Sequence, residues 1–299
     1  MPPADAILAQ ELPGLEREIP LAPLCAYRVG GPAEYLFAAR ETELLRHAVI
    51  VGRELGLPVT VLGRATNVLV SDDGLRGLVV LTRNEKTTVK DELATAGAGT
   101  TLPVLVATLV ERGLGGLEFA GNIPGSVGGA VVGNAGAYGH AVADVLVNAK
   151  LLAGPETVTA APGEIGFGYR TSSLKTTRTT VLLEATFALH EGMRSAMLQE
   201  IARDAELRRS KHPLEYASCG SYFKNPSPER PAARLIEEAG LKGLRVGRAE
   251  VSDKHANFLV ALPGAGAADI RRLADEVRRR VLDRFGVRLE EEVTLLGFD

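Results

Sequence analysis

Tryptophan is absent from the 299 residues, cysteine occurs twice, and aromatic side chains make up 5% of the chain. Cys25 and Cys219 are too few for a disulfide framework and form no CxxC pair, so two buried thiols in a reducing compartment are expected. No apolar run is long enough to span a bilayer. The start, MPPADAILAQELPG, lacks the basic stretch and apolar core of an export signal, and a cytoplasmic location is expected. The histidines show no HExxH or other metal-ligand spacing, so no metal site is expected. The absence of GxxxxGK[ST] excludes a P-loop nucleotide site. Gly97-Ala98-Gly99-Thr100-Thr101-Leu102 begins like a GxGxxG turn and fails at the last position, which disfavours a dinucleotide fold of the Rossmann type. Ser221 lies outside any GxSxG elbow, so Ser-His-Asp chemistry is disfavoured as well. A net charge of −3 gives no reason to expect nucleic acid or an anionic membrane as partner.

Glycine, by contrast, is plentiful. Residues 121–139 read GNIPGSVGGAVVGNAGAYG, with glycine at seven of nineteen positions. Each glycine inside a regular element costs about 0.5–1 kcal/mol relative to alanine, so no helix or strand is expected there. Such a segment permits positive φ and close approach of another surface, and successive backbone N–H groups along it can cup an anion. A flexible linker is the bland alternative. The interleaved Ile123, Val127, Val131, Val132 and Tyr138 argue instead for a packed loop around a phosphate-bearing ligand. Residues 62–67 (LGRATN) and 27–32 (YRVGGP) are two more polar loops suited to the same site. A pocket contacted from two lobes is a common place for a large cofactor.

The length suggests two or three lobes. Residues 42–55 carry Leu44, Leu45, Ala48, Val49, Val51 and Leu55 at helical spacing, and Gly56 and Pro58 stop them. Strands expected at 34–38, 59–62, 68–70 and 77–81 complete a small α/β lobe, residues 1–85. A second lobe, 86–190, opens with a strand at 93–96. A helix capped by Thr101, with Pro103 in its first turn and Gly113 at its end, comes next. After the glycine-rich stretch, strands are expected at 145–152, 157–160 and 181–189. Composition shifts near Glu191. The remainder, 191–299, holds three expected helices. The first runs to Arg209 with Met193, Met197 and Ile201 on its apolar face, the second covers 232–239, and the third covers 269–285. The Arg-rich face of the third reads as solvated surface.

Three segments carry chemistry. Gly220-Ser221-Tyr222-Phe223-Lys224-Asn225-Pro226 puts a hydroxyl, an ammonium and an amide on one turn-prone run. Tyr169-Arg170 stands beside Ser172 and Ser173. Glu292 closes Leu289-Glu290-Glu291-Glu292. Taken singly, each has a bland reading as a surface or structural residue.

Together the segments resemble the UDP-N-acetylenolpyruvoylglucosamine reductase (MurB) family. The matching runs are YRVGGPA at 27–33, LGRATNVLVSDDGLRGLVV at 62–80, IPGSVGGAVVGNAGAYG at 123–139, YRTSSLK at 169–175, GSYFKNP at 220–226 and SDKHANFLV at 252–260. The interval from Arg170 to Ser221 is short, which resembles the family type without an inserted substrate-capping loop. The resemblance implies an α+β fold. Its parts are a two-lobed FAD-binding region of the vanillyl-alcohol-oxidase-like superfamily and a C-terminal α+β substrate-binding domain, whose last segment returns to the active site. It also implies FAD as cofactor, NADPH as reductant, and reduction of UDP-N-acetylglucosamine enolpyruvate to UDP-N-acetylmuramate for peptidoglycan synthesis.

Carried over to this chain, the family pattern implies FAD contacts at Gly63, Arg64, Ala65, Thr66 and Asn67. It implies others at Ile123, Pro124, Gly125, Ser126, Gly128, Gly129, Asn134, Gly136, Ala137 and Tyr138. Two departures fall among these contacts: Ala65-Thr66 replaces the usual Gly-Ser pair, and Asn122 stands where glycine commonly precedes Ile-Pro-Gly. The implied catalytic residues are Ser221 as proton donor, with Arg170 and Glu292 stabilising an enolate. Implied substrate contacts are Tyr169, Lys224, Asn225, His255 and Asn257. Lys224 has two readings, as an anchor for the diphosphate or as an aid to a transient Ser221 alkoxide. His255 and Asn257 either line the sugar-nucleotide side or are structural. A flavin oxidase of the same superfamily and a non-catalytic nucleotide-binding module remain the alternatives.

Overall fold

The structure, a computed structural model, describes residues 4–177 and 179–298. It divides into two compact units, each with its own apolar core. The first takes the chain to residue 17, then 35–64 and 77–206; the second takes 18–34, 65–76 and everything from 207.

The first unit contains an antiparallel sheet in the order Glu156–Ala160, Leu146–Ala153, Thr180–Ala188, Leu93–Gly97, Thr87–Lys90. In Thr180–Ala188 the buried residues Val181, Leu183, Ala185 and Phe187 alternate along one face, and Leu182 is buried on the other. The helix Thr42–Glu54 buries Leu45, Ala48 and Val49 completely, at the spacing of one helical stripe. Fully burying each such leucine is worth about 1.5–3 kcal/mol. Strand Val59–Leu62 runs parallel to Leu75–Thr82, with Leu62 opposite Leu81. Asn84, 2% exposed, joins these parts. Its amide donates to the Leu183 carbonyl (3.0 Å) and the Thr42 hydroxyl (3.2 Å) and accepts from the Gly99 N–H (3.0 Å). The Gly97-Ala98-Gly99 run is thus a packing joint.

Two expectations in this unit are corrected. The glycine-rich stretch contains a helix, Val127–Val132. Burial of Val127, Ala130 and Val131 and an N-cap from Ser126 outweigh the glycine propensity cost of about 1 kcal/mol per residue. Met193 is 74% exposed and precedes the helix Arg194–Lys211, so the apolar face there rests on buried Met197 and partly buried Ile201.

The second unit pairs Arg245–Val246, Ala249–Val251 and Leu259–Ala261 into an antiparallel sheet. The helix Ala267–Phe285 buries Ala267, Ile270, Leu273, Ala274, Val277 and Val281. Segment 65–76 is tied in at both ends. Strand Val68–Val70 pairs in parallel with Thr294–Leu296. The Asp72 carboxylate accepts from the N–H groups of Ala267 (2.7 Å) and Ala268 (3.0 Å), the favourable sign of charge for a helix N-terminus. A side chain on Gly74, whose φ is +80°, would overlap the Pro32 carbonyl, so segment 18–34 packs there backbone to backbone. Cys25 and Cys219 are both buried. Burial pushes both thiols up, Cys25 to about 11, so neither is a ready nucleophile. Among the described residues no helix is long and apolar enough to cross a membrane.

Candidate active site

In the first unit, residue 63 and the glycine-rich stretch approach closely. A Cβ on Gly63 would overlap the Ser126 hydroxyl, so only glycine permits the approach. The Gly63 carbonyl accepts from Arg83 at 3.0 Å. No motif marks Arg83, and sequence reasoning missed it. Arg64 pairs with Glu85, yet its Nε is buried without a hydrogen-bond partner, as is the Thr100 hydroxyl. The N–H groups of Val127 and Gly128 donate to the carbonyls of Thr100 and Ala98, both at 2.8 Å, and that of Gly129 donates to Ser126 Oγ at 3.3 Å. At these positions the donors expected to cup an anion are used within the protein. Ile123 N–H donates to Ala120 and Gly125 carbonyl accepts from Leu102, each at 3.0 Å, while Pro124 is exposed. Asn122 donates to the Ile201 carbonyl at 2.8 Å, a tie that glycine cannot make.

Beyond that helix the chain makes a hairpin, Gly136–Ala137 against His140–Ala141. Tyr138 and Gly139 both have positive φ, +54° and +88°, as a two-residue type I′ turn requires. The Tyr138 hydroxyl donates to the Asp204 carbonyl at 3.1 Å. Arg170 sits in a second tight turn, where Gly168 and Thr171 exchange backbone hydrogen bonds. Its φ of +55° is unusual for a side chain of this size. Its guanidinium donates to the Gly136 carbonyl at 2.6 Å and lies over the Tyr169 ring, 5.3 Å from the centroid. Asn134 ties the Arg170 turn to the segment that follows the hairpin, donating to the Gly168 carbonyl and accepting from the Ala143 N–H, each at 3.0 Å. Arg170, Asn134 and Gly136 therefore form one linked group, with Tyr169 on its exposed side.

In the second unit, residues 222–224 and 290–292 form a short antiparallel ladder. Lys224 N–H donates to the Glu290 carbonyl and Glu292 N–H to the Tyr222 carbonyl, both at 2.8 Å, with Phe223 opposite Glu291. Asn257, 2% exposed, closes the other side. It accepts from the Phe223 N–H (3.0 Å), donates to the Phe223 carbonyl (2.8 Å), and its own carbonyl accepts from the Tyr222 N–H (2.8 Å). Asn67 Nδ2 donates to the Glu292 carbonyl (3.2 Å), and Asn67 carbonyl accepts from the Thr294 N–H (3.0 Å). The segments of Asn67, Ser221, Asn257 and Glu292 thus come together. Lys224 faces Glu290 at 3.8 Å.

Other expected residues of this unit have local partners. The Asn225 amide oxygen accepts from the Ala232 N–H at the start of the helix Ala232–Glu238 (3.0 Å). His255 Nδ1 accepts from the Asn257 N–H (3.3 Å), and its ring packs edge-on against Phe258 and His212. Burial, with nearby cations, lowers His212 to about 4 and lowers His255 as well. Ala65 has φ +48°, the left-handed region that favours glycine, and Thr66 is half-buried.

The first-unit residues fit a flavin dinucleotide. Buried polar atoms such as Arg64 Nε and Thr100 Oγ1 are normally satisfied, and a polar ligand here would satisfy them. Residues 33–165 match the model of an FAD binding domain. Residues 212–296 match the C-terminal domain of UDP-N-acetylenolpyruvoylglucosamine reductase. UDP-N-acetylenolpyruvoylglucosamine reductase 2 of Symbiobacterium thermophilum is 44% identical over 95% of this chain and 92% of its own length. The chain belongs to the UDP-N-acetylenolpyruvoylglucosamine reductase family. It is an FAD-dependent oxidoreductase. The reductase of Rubrobacter xylanophilus is also 44% identical, over 98% of this chain and 99% of its own. Among solved structures, the family member from Thermus caldophilus matches with a TM-score of 0.81 at 36% identity, covering 95% of this chain and 99% of that one. A berberine bridge enzyme variant, 14% identical with a TM-score of 0.50 over 63% of this chain and 43% of its own, shares the fold alone. The fold is α+β, as expected, with an FAD binding domain and the reductase C-terminal domain.

Proposed function

We propose that the chain reduces UDP-N-acetylglucosamine enolpyruvate to UDP-N-acetylmuramate in the cytoplasm, with NADPH as reductant, in peptidoglycan precursor synthesis. Family membership supports the reaction, and the ladder joining the Ser221 and Glu292 segments carries the residue roles. In this reading residues 1–85 and 86–190 serve the cofactor and 191–299 the substrate.

Gly63, Arg64 and the 123–138 segment would hold FAD, which would supply the hydride for the terminal enolpyruvyl carbon. Negative charge then builds on the adjoining carbon and its carboxylate. Arg170 holds that carboxylate, because a planar guanidinium matches it bidentately. The Gly136 carbonyl and the Tyr169 ring restrict where the guanidinium points. Glu292 acts beside the developing charge, either protonated or orienting its neighbours. Ser221 gives its hydroxyl proton to the adjoining carbon, completing the addition of H⁻ and H⁺, and solvent returns a proton to the serine. Lys224 anchors the substrate diphosphate. Asn257 and Asn225 hold the Ser221 segment rather than the substrate, through the hydrogen bonds given above.

Ser221→Ala tests this reading in separate anaerobic half-reactions. Bleaching of the flavin by NADPH should stay near wild type. Recolouring by the enolpyruvyl sugar nucleotide should slow by roughly 10²–10⁴-fold, the range of a lost general acid. Equal slowing of both half-reactions contradicts the assignment.

A further inference from the structure

The Arg-rich face of the helix Ala267–Phe285 is not all solvated. Arg272, Arg279 and Arg280 pair with acidic residues of their own helix and are well exposed. Arg271 and Arg278 also reach segment 289–291. Arg278 donates from Nε to the Leu289 carbonyl (3.2 Å), from Nη1 to Asp275 (2.7 Å), and from Nη2 to Glu291. Arg271 donates to the same Glu291 oxygen at 2.9 Å. Arg278 and Glu291 are only 19% and 24% exposed, so solvent screens this contact less than the outer pairs. The Arg278 guanidinium also lies 5.9 Å over the Phe223 ring.

Glu291 and Phe223 are opposite partners in the ladder. Successive side chains of an extended segment point to opposite faces. Drawing Glu291 toward the helix therefore turns Glu290 and Glu292 to the other face. The run Glu290-Glu291-Glu292 has no compositional register of its own. A slip by one residue would keep a glutamate opposite Phe223, bring Leu289 or Val293 into one flanking position, and exchange the faces.

We propose that Arg271 and Arg278 are positioning residues that, together with the buried Leu289 and Val293 two residues either side of Glu291, hold the register of this glutamate run, so that Glu292, and not a neighbour, is presented beside the Ser221 segment. The proposal rests on the roles given to Ser221 and Glu292 above. Arg271 and Arg278 touch no reacting atom; they act through Glu291.

The test compares flavin-loaded Arg278→Met, Glu291→Gln and the double variant in the two anaerobic half-reactions, with Ser221→Ala alongside. NADPH should bleach the flavin of all three within about twofold of the wild-type rate. Recolouring by the enolpyruvyl sugar nucleotide should slow roughly 10- to 100-fold in each single variant, the scale of a misplaced group. The double variant should be no slower than the slower single, because both changes remove one contact. Multiplied effects in the double variant overturn the proposal. Equal slowing of both half-reactions does so too, since it marks a general structural loss. Glu291→Gln is isosteric and keeps the test decisive if Arg278→Met does not fold. If Ser221→Ala is slow to recolour while Arg278→Met and Glu291→Gln are not, only the positioning claim fails. If Ser221→Ala recolours normally, the underlying reading fails and takes the positioning claim with it.

Discussion

Replacing Asn257 with leucine should destabilise the protein by about 2–6 kcal/mol, chiefly through the backbone of one other residue. The Asn257 side chain satisfies both the N–H and the carbonyl of Phe223, at 3.0 and 2.8 Å. Phe223 is fully buried, so water cannot replace either bond. Leucine keeps the branched four-atom skeleton of asparagine, so no cavity is left, and its bulkier methyl groups add an overpacking cost of the same sign. What remains is two buried backbone groups without partners, each costing about 1–3 kcal/mol. The loss is measured from denaturant unfolding followed by circular dichroism, at fixed excess FAD because a bound ligand adds stability by mass action. Asn257→Asp separates the two bonds. It keeps the acceptor for the Phe223 N–H but sets a carboxylate oxygen against the Phe223 carbonyl. Only the protonated carboxyl can donate there, so its folded-state pKa lies above the unfolded value of about 3.9. Its deficit relative to wild type should therefore be small below about pH 4 and grow as pH rises through the folded-state pKa. A leucine variant within about 0.5 kcal/mol of wild type would refute the claim that this amide holds the Ser221 segment. A pH-independent deficit in the aspartate variant would show that the donor bond is not what was lost.

Three further outcomes follow from the same geometry. Gly63→Ala should cost about 1–3 kcal/mol by overpacking against Ser126, and Ser126→Gly in the same chain should recover most of it; additive melting-temperature losses would contradict the close approach. Ala65→Gly should range from neutral to about 1 kcal/mol stabilising, since it relieves a left-handed φ of +48°, and a clear loss of thermal stability would count against the observed backbone. His212, held neutral by burial with a pKa of about 4, contributes stability present above the unfolded value of about 6.5 and lost as pH falls toward 4, roughly 1–2 kcal/mol after allowing for partial exposure. His212→Phe should flatten that acid-side loss in an unfolding series, and an unchanged slope would remove His212 as its cause.

Much of the fold is legible because local patterns decide it. The helix Thr42–Glu54 follows from an apolar stripe with a Gly-Pro stop, and the strand Val68–Val70 from a short β-branched run. What joins segment 65–76 to the second unit is not local. It is a carboxylate at residue 72 bonded to N–H groups 195 and 196 residues further on. No periodicity encodes such a partner. The glycine-rich helix fails to announce itself for a different reason. Propensity counts two glycines in six residues against it, whereas three buried side chains and a cap decide the outcome.

The site divides along the same line. Motif residues such as Ser221, Arg170 and Asn134 stand out because their residue types are chemically unusual in their runs. The residues that brace the surrounding backbone do not. Arg83 and Asn84 belong to no motif, and their partners lie in distant strands and loops. Arg271 and Arg278 are hidden differently, inside a helix in which arginine is so frequent that none is conspicuous. Their place beside the buried stripe nevertheless separates them. Arg271 directly follows the fully buried Ile270, and Arg278 directly follows the fully buried Val277. Arg272, Arg279 and Arg280 have acidic partners within one turn and need nothing from elsewhere in the chain. Arg271 and Arg278 also share Asp275, but the shared carboxylate leaves each guanidinium with donors to spare. A cation with spare donors at the edge of a buried stripe requires an anion from another segment. The glutamate run that follows the helix supplies one.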